Sequence, residues 1–151
     1  MKLDRATLLS FVLALVSTLF VANEPGLANP CLDITQPHSF RFKGVLTHKV
    51  FPGPPNYQDV RKGDKPESAY ILQLAKPICV SGDEFVDPNA QIERIQIFPQ
   101  YADTKDEALW RALRNLVGRS VVVEGKEPFG AQTGHHHAPL LLPITAIMQG
   151  K

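Results

Sequence analysis

The sequence predicts a mainly β fold: a five-stranded, OB-like barrel with one helix, behind an N-terminal signal peptide. Three observations carry this. Short segments with two-residue apolar alternation recur along the chain, one segment of helical period falls between the third and fourth of them, and Gly44 sits where a barrel strand would bend. The predicted order is strand, strand, strand, helix, strand, strand. An open α+β sheet sandwich of the same elements is the alternative, and short strands without long crossovers favour closure.

The first strand is read over residues 39–51, with Phe40, Phe42, Leu46 and Val50 facing inward and Arg41, Lys43, Thr47 and Lys49 facing out. His48 shares the inner parity and is expected to be buried and hydrogen-bonded. Pro52-Gly53-Pro54-Pro55-Asn56-Tyr57 ends this strand and opens a long polar loop that runs to Glu67. The second strand covers residues 69–74, with Tyr70, Leu72 and Leu74 on one side. The third covers 92–98, where Ile95 and Ile97 oppose Arg94 and Gln96, and Pro99 closes it. Thr104 with Glu107 reads as a capping box, followed by Leu109, Leu113, Leu116 and Val117 on one helical face and a stop at Gly118. That predicts a helix of about three to four turns, with Trp110 covering the edge of its apolar stripe. A Val-rich fourth strand over 119–125 and a fifth over 140–148 complete the set.

The leader is read over residues 1–28. Lys2 and Arg5 precede an apolar run over 6–22, and Asn23-Glu24-Pro25-Gly26 then breaks it. A cut after Ala28 places Gly26 and Ala28 at the two small-residue positions, leaving a single domain over 29–151. An uncleaved anchor is the competing reading, because the run is at the lower limit for spanning a bilayer. After cleavage no stable membrane insertion is expected. Ala28-Asn29-Pro30 before Cys31 is the wrong context for lipid attachment.

Export implies a periplasmic or secreted setting, and there Cys31 and Cys79 are expected to form a disulfide. It would close a loop of about fifty residues, worth roughly 4 kcal/mol by loop entropy. A redox-active thiol pair is the lesser alternative, as no C-x-x-C spacing occurs. Lys plus Arg is 16 against Asp plus Glu 15, so no basic footprint for nucleic acid or an anionic membrane exists.

In an OB barrel, ligands are taken beside the loop joining strands one and two and the loop joining strands four and five. Here these are the most unusual stretches of the chain: the Pro-rich loop with Asn56 and Tyr57, and a loop with Phe129 and the triplet His135, His136 and His137. In an extended segment His135 and His137 point to one side and His136 to the other. The first two would then be able to share a zinc or copper ion, given a further ligand from His38, His48, Asp59 or Glu67. Otherwise the rings cover the barrel mouth or form a metal-free binding surface. No serine or cysteine sits in a nucleophile context, and no phosphate loop is present, so no enzymatic activity is expected.

The segments F-P-G-P-P-N-Y and K-G-D-x-P-E, the L-x-K-P-I-C end of the second strand and T-G-H-H-H-x-P together carry a resemblance over about Phe40 to Ile147. The chain resembles a family of small exported bacterial proteins known only as a domain of unknown function. The resemblance implies an exported setting and makes Pro52 to Tyr57 and Thr133 to Pro139 the distinctive surface; it brings no catalytic assignment. Two functions are therefore expected as alternatives. One is a cell-envelope module that recognises a protein or glycan partner through Asn56, Tyr57, Phe129, His135, His136 and His137, with no cofactor. The other is a periplasmic protein that holds zinc or copper through His135 and His137.

Overall fold

The computed structural model describes residues 31–100 and 106–150. The predicted leader and Thr104 of the predicted capping box lie outside the described residues. The strands are β1 (Leu32–Asp33), β2 (Phe40–Pro52), β3 (Pro66–Ile78), β4 (Val80–Ser81), β5 (Ile92–Pro99), β6 (Ser120–Gly125), β7 (Phe129–Gly130) and β8 (Leu140–Gln149). One α-helix, α1 (Glu107–Leu116), and a short 3₁₀ turn (Val60–Lys62) complete the described elements.

Alternation builds the barrel. Phe40, Phe42 and Leu46 of β2 turn inward to meet Leu72, Ile95, Val123 and Leu142 in one buried core. The sheet order is β5-β3-β2-β6-β8-β7, and β5 also pairs with β8, so the five long strands close on themselves. All the long pairings are antiparallel except β5 with β8, which is parallel from Ile95↔Leu140 to Pro99↔Ile144. Leu46, Leu72 and Leu142 retain no exposed surface, and each such burial is worth roughly 2 kcal/mol. Gly44 fills the predicted corner: a Cβ there would collide with the backbone carbonyl of Gln73.

The inner parity of β2 does not stay inside. β6 accompanies β2 only through Val45, whereas β3 follows it to Pro52. Beyond Leu46 β2 has lost β6 and β3 keeps β5 only as far as Tyr70, so from Lys49 and Ala69 outward the two strands run on as a two-stranded arm. Val50 is 60% exposed, and His48, expected to be buried, is also exposed and lies against Tyr70 at 4.6 Å between ring centroids. β3 also begins at Pro66, so Glu67 belongs to the arm and not to the loop. Within the arm Ala69 and Ile71 face away from the barrel core and form a satellite cluster with Ala138 and Phe51.

α1 seats Leu113, fully buried, against the core, with Leu109, Leu116 and Trp110 partly buried beside it. It has ten residues, just under three turns, and Val117 leaves the helix and is exposed. Gly118, at φ +81°, donates its N–H to the Leu46 carbonyl, and the Leu46 N–H is given to Arg119, which ties the helix end to the barrel. At the start of the described chain, Cys31 and Cys79 form a disulfide with Cα atoms 4.7 Å apart. Next to it β1 pairs in parallel with β4, while Ile34 and Val80 are buried in the core.

Candidate functional site

The first long loop is built around one carboxylate. Asp64 is 4% exposed and accepts the backbone N–H groups of Asn56, Gln58 and Asp59 together with the Asn56 side-chain amide. The Gln58 and Asp59 N–H groups, with those of Asn56, hold its carboxyl below the usual carboxylate value against the opposing effect of burial. Gly53 donates to the Lys65 carbonyl and accepts from the Tyr57 N–H, so the loop folds back on itself. Tyr57 emerges from this turn at φ +56°, a left-handed conformation that an aromatic residue rarely adopts.

The histidine loop lies across the outer face of the arm. His137 stacks on Phe51, with ring centroids 4.2 Å apart and planes within 4°, and Ala138 enters the satellite cluster. Gln96 of β5 grips the loop backbone from below: its Oε1 accepts from His137 N at 2.6 Å and its Nε2 donates to the His135 carbonyl at 3.4 Å. Glu67, opposite Phe51 in the β2–β3 register, meets both rings. Its Oε1 is 2.7 Å from His135 Nδ1 and its Oε2 is 3.4 Å from His137 Nε2.

These contacts fix a proton order in neutral His135. An ionised carboxylate only accepts, so Nδ1 carries the hydrogen given to Glu67, and Nε2 becomes the acceptor. Tyr57 Oη lies 3.1 Å from that Nε2 and donates its hydroxyl hydrogen to it. A chain Glu67, His135, Tyr57 thus joins β3, the histidine loop and the first long loop, and it ends on a phenol that is 37% exposed. Close approach of the two loops needs Gly134, where a Cβ would sit 2.8 Å from the Tyr57 ring.

His136 points the other way. Its Nδ1 accepts from Gln132 N at 2.8 Å, and its ring meets Phe129 edge-on at 5.7 Å. Burial, followed by the neighbouring His135 and His137, pushes its pKa below the ordinary 6.5, so it is neutral at pH 7. Phe129 in turn meets Phe98 of β5 edge-on.

Of the six residues proposed from sequence, His135 and His137 meet on Glu67 and Tyr57 joins them through His135, while His136 and Phe129 form a second contact on the opposite side of the loop. Asn56 is exposed, but its amide is committed to Asp64, which makes it part of the scaffold. Sequence reasoning missed Asp64, Gln96 and Phe51 and placed Glu67 in a loop. The K-G-D-x-P-E motif contained two of these four. Among the described residues no group of three His, Cys, Asp or Glu side chains is placed to hold a metal ion, the imidazoles being turned onto Glu67.

Fold and site define a disulfide-tied β-barrel with two loops latched together on one arm. Residues 94–148 match the model of a family described as Domain of unknown function (DUF4431), which supports an uncharacterised family. The match takes in Gln96, Phe129 and the three histidines, and leaves out Phe51, Tyr57, Asp64 and Glu67. No curated protein and no solved structure matches the chain.

Proposed function

We propose that this protein is an exported binding module of the cell envelope that takes a protein or glycan partner on the rim made by the Pro-rich loop and the histidine loop. The observation that carries this is the latch itself. Glu67, His135 and Tyr57 in series, with His137 stacked on Phe51, hold two otherwise separate loops in one arrangement before any partner arrives. Such pre-organisation reduces the ordering cost of association. Tyr57 and His135 offer exposed aromatic surface with polar tips, the chemistry that binding surfaces favour.

We read the barrel as OB-like. The support is the cyclic order β2-β3-β5-β8-β6, with β5 and β8 parallel and the helix between β5 and β6. In that fold the two loops that meet here are the ones flanking the ligand face. We read the setting as periplasmic or secreted, behind a cleaved leader. The Cys31–Cys79 disulfide supports an oxidising compartment, and among the described residues no helix is long and apolar enough to cross a membrane. The test is affinity capture from an envelope extract with the parent protein and with Tyr57→Ala combined with His136→Ala. We expect the parent to retain a partner that the double variant loses; identical captures would remove the rim from consideration.

A further inference from the structure

We propose that Tyr57 is an activated nucleophile that accepts the acyl group of an ester, with His135 as its general base and Glu67 as the residue positioning that base. The inference rests on the rim site described above and assigns it a chemistry. Three independent observations point to it. The first is the order of the hydrogen bonds: carboxylate to Nδ1 at 2.7 Å, Nε2 to hydroxyl at 3.1 Å. That is the arrangement by which a carboxylate orients an imidazole and the imidazole takes a proton from a hydroxyl. The second is shelter of the carboxylate: the Glu67 side chain is 24% exposed, against 56% for that of His135 and 37% for Tyr57. The orienting group is sheltered and the reacting end is open. The third is the left-handed backbone of Tyr57, held by the loop that the Asp64 carboxylate organises. A non-glycine residue kept in this conformation by its surroundings is a recurring feature of functional sites.

A phenol suits this role better than its exposure suggests. Its hydroxyl already points to His135 Nε2 at 3.1 Å, so the acceptor for its proton is in place before a substrate arrives. An acyl ester is the substrate class favoured by charge. Glu67 is an anion at the centre of the site, which repels a phosphoryl group and leaves a neutral carbonyl unaffected.

In the first step the Tyr57 oxygen forms a bond to the carbonyl carbon while its proton passes to His135 Nε2. The bond from that carbon to the leaving oxygen then breaks, and the proton on His135 is delivered to the departing alkoxide. In the second step His135 takes a proton from water, the resulting hydroxide adds to the acyl-tyrosine, and Tyr57 leaves as phenolate and regains the proton. The products are an acid and an alcohol, and the protein is unchanged. Around His135 the groups that set its protonation are Glu67 from β3, Tyr57 from the Pro-rich loop, and His136 and His137 from its own loop.

The test uses the whole mature protein and p-nitrophenyl acetate as the probe, with p-nitrophenolate release followed by absorbance and the adduct located by peptide mass spectrometry. We expect a burst of one equivalent with acetyl on Tyr57 in acid-quenched samples, at least ten-fold faster than labelling of Tyr70 or Tyr101 in the same molecule, followed by slower steady release as the acyl-tyrosine hydrolyses. Because His135 accepts the proton, Tyr57 should begin to label at a lower pH than Tyr70 and Tyr101, which are measured in the same molecule as unassisted phenols. Glu67→Gln should slow labelling ten-fold or more and remove the low-pH advantage of Tyr57 over the other tyrosines; Tyr57→Phe should abolish the adduct. Acetyl on lysines or on an imidazole instead of Tyr57, equal labelling of the three tyrosines, or a Glu67→Gln rate equal to the parent's would each overturn the proposal. Because the probe needs no partner, failure here leaves the envelope-capture experiment unaffected, and loss of capture leaves the labelling result standing.

Discussion

Removing the disulfide is the perturbation whose magnitude follows most directly from the structure. Cys31 and Cys79 are 48 positions apart, and a cross-link closing a loop of that length lowers the entropy of the unfolded chain by about 14 cal/mol/K, or about 4 kcal/mol at 25 °C. In the native state little holds the first segment apart from this bond. β1 and β4 pair over two residues each, Leu32 donates to Cys79 and Ile34 to Ser81, and Ile34 is buried beside Val80. Those contacts survive in a Cys31→Ser, Cys79→Ser double variant, but they must then offset the ordering of the free segment themselves. For a domain of about 120 residues each kcal/mol moves the melting temperature by about 4 °C, so the expected loss is about 15 °C. Calorimetry of the double variant, and of the parent with and without a thiol reductant, should agree on this shift. A double variant within about 1 kcal/mol of the parent would refute the reasoning. It would mean that the Ile34 anchor, and not the covalent bond, secures the start of the domain.

Four further outcomes follow from individual contacts. Gly134→Ala places a methyl group 2.8 Å from the Tyr57 ring, so it should displace Tyr57 and weaken envelope capture and Tyr57 labelling together, with a stability loss of only about 1 kcal/mol by melting. Asp64→Asn replaces an acceptor-only carboxylate by a group that also donates, against three backbone N–H groups; limited proteolysis should then cut within 53–65, where the parent resists. The lowered pKa of His136 means that the unfolded chain takes up its proton first, so its effect on stability is absent well above pH 6.5 and becomes a loss as pH falls below 6.5; His136→Gln should flatten that part of a melting-temperature profile. Equilibration with zinc or copper should leave the melting temperature unchanged, because among the described residues no three His, Cys, Asp or Glu side chains are placed to hold one ion. Stoichiometric uptake with a raised melting temperature would favour the metal reading of His135 and His137.

The parts of this molecule that were legible in the sequence are those where local pattern and tertiary environment coincide. Phe40, Phe42 and Leu46, or Ile95 and Ile97, alternate because one face of each strand meets a closed core, so period two and burial are the same fact. Past Leu46 they separate. His48 and Val50 keep the inward parity after the barrel has ended, and Pro66-Glu67-Ser68 is a strand with no apolar alternation because only pairing with the β2 arm defines it. The relay was harder still to read. Tyr57 and His135 are 78 positions apart, and His135 and Glu67 are 68 apart, so no local spacing reports their meeting. The histidine triplet marked the loop, but its partners Tyr57 and Glu67 came from a distant part of the sequence.

Where the histidine loop rests also explains why its three rings are not equivalent. The arm turns Ala69 and Ile71 to its outer face, where Ala138 and the stacked pair Phe51 and His137 cover them and keep them buried. His137, 9% exposed in its side chain, therefore has a packing role as well as a polar one, and its loss should be felt as lost stability. His135 is the opposite case: more than half exposed, it touches the arm only through hydrogen bonds, so changing it should disturb Tyr57 before it disturbs the fold. His136 belongs to neither group, since its partners Gln132 and Phe129 lie on the far side of the loop. Any function of this rim that depends on the relay must then separate His135 from His136, whereas one that depends only on the shape of the loop should respond to both alike.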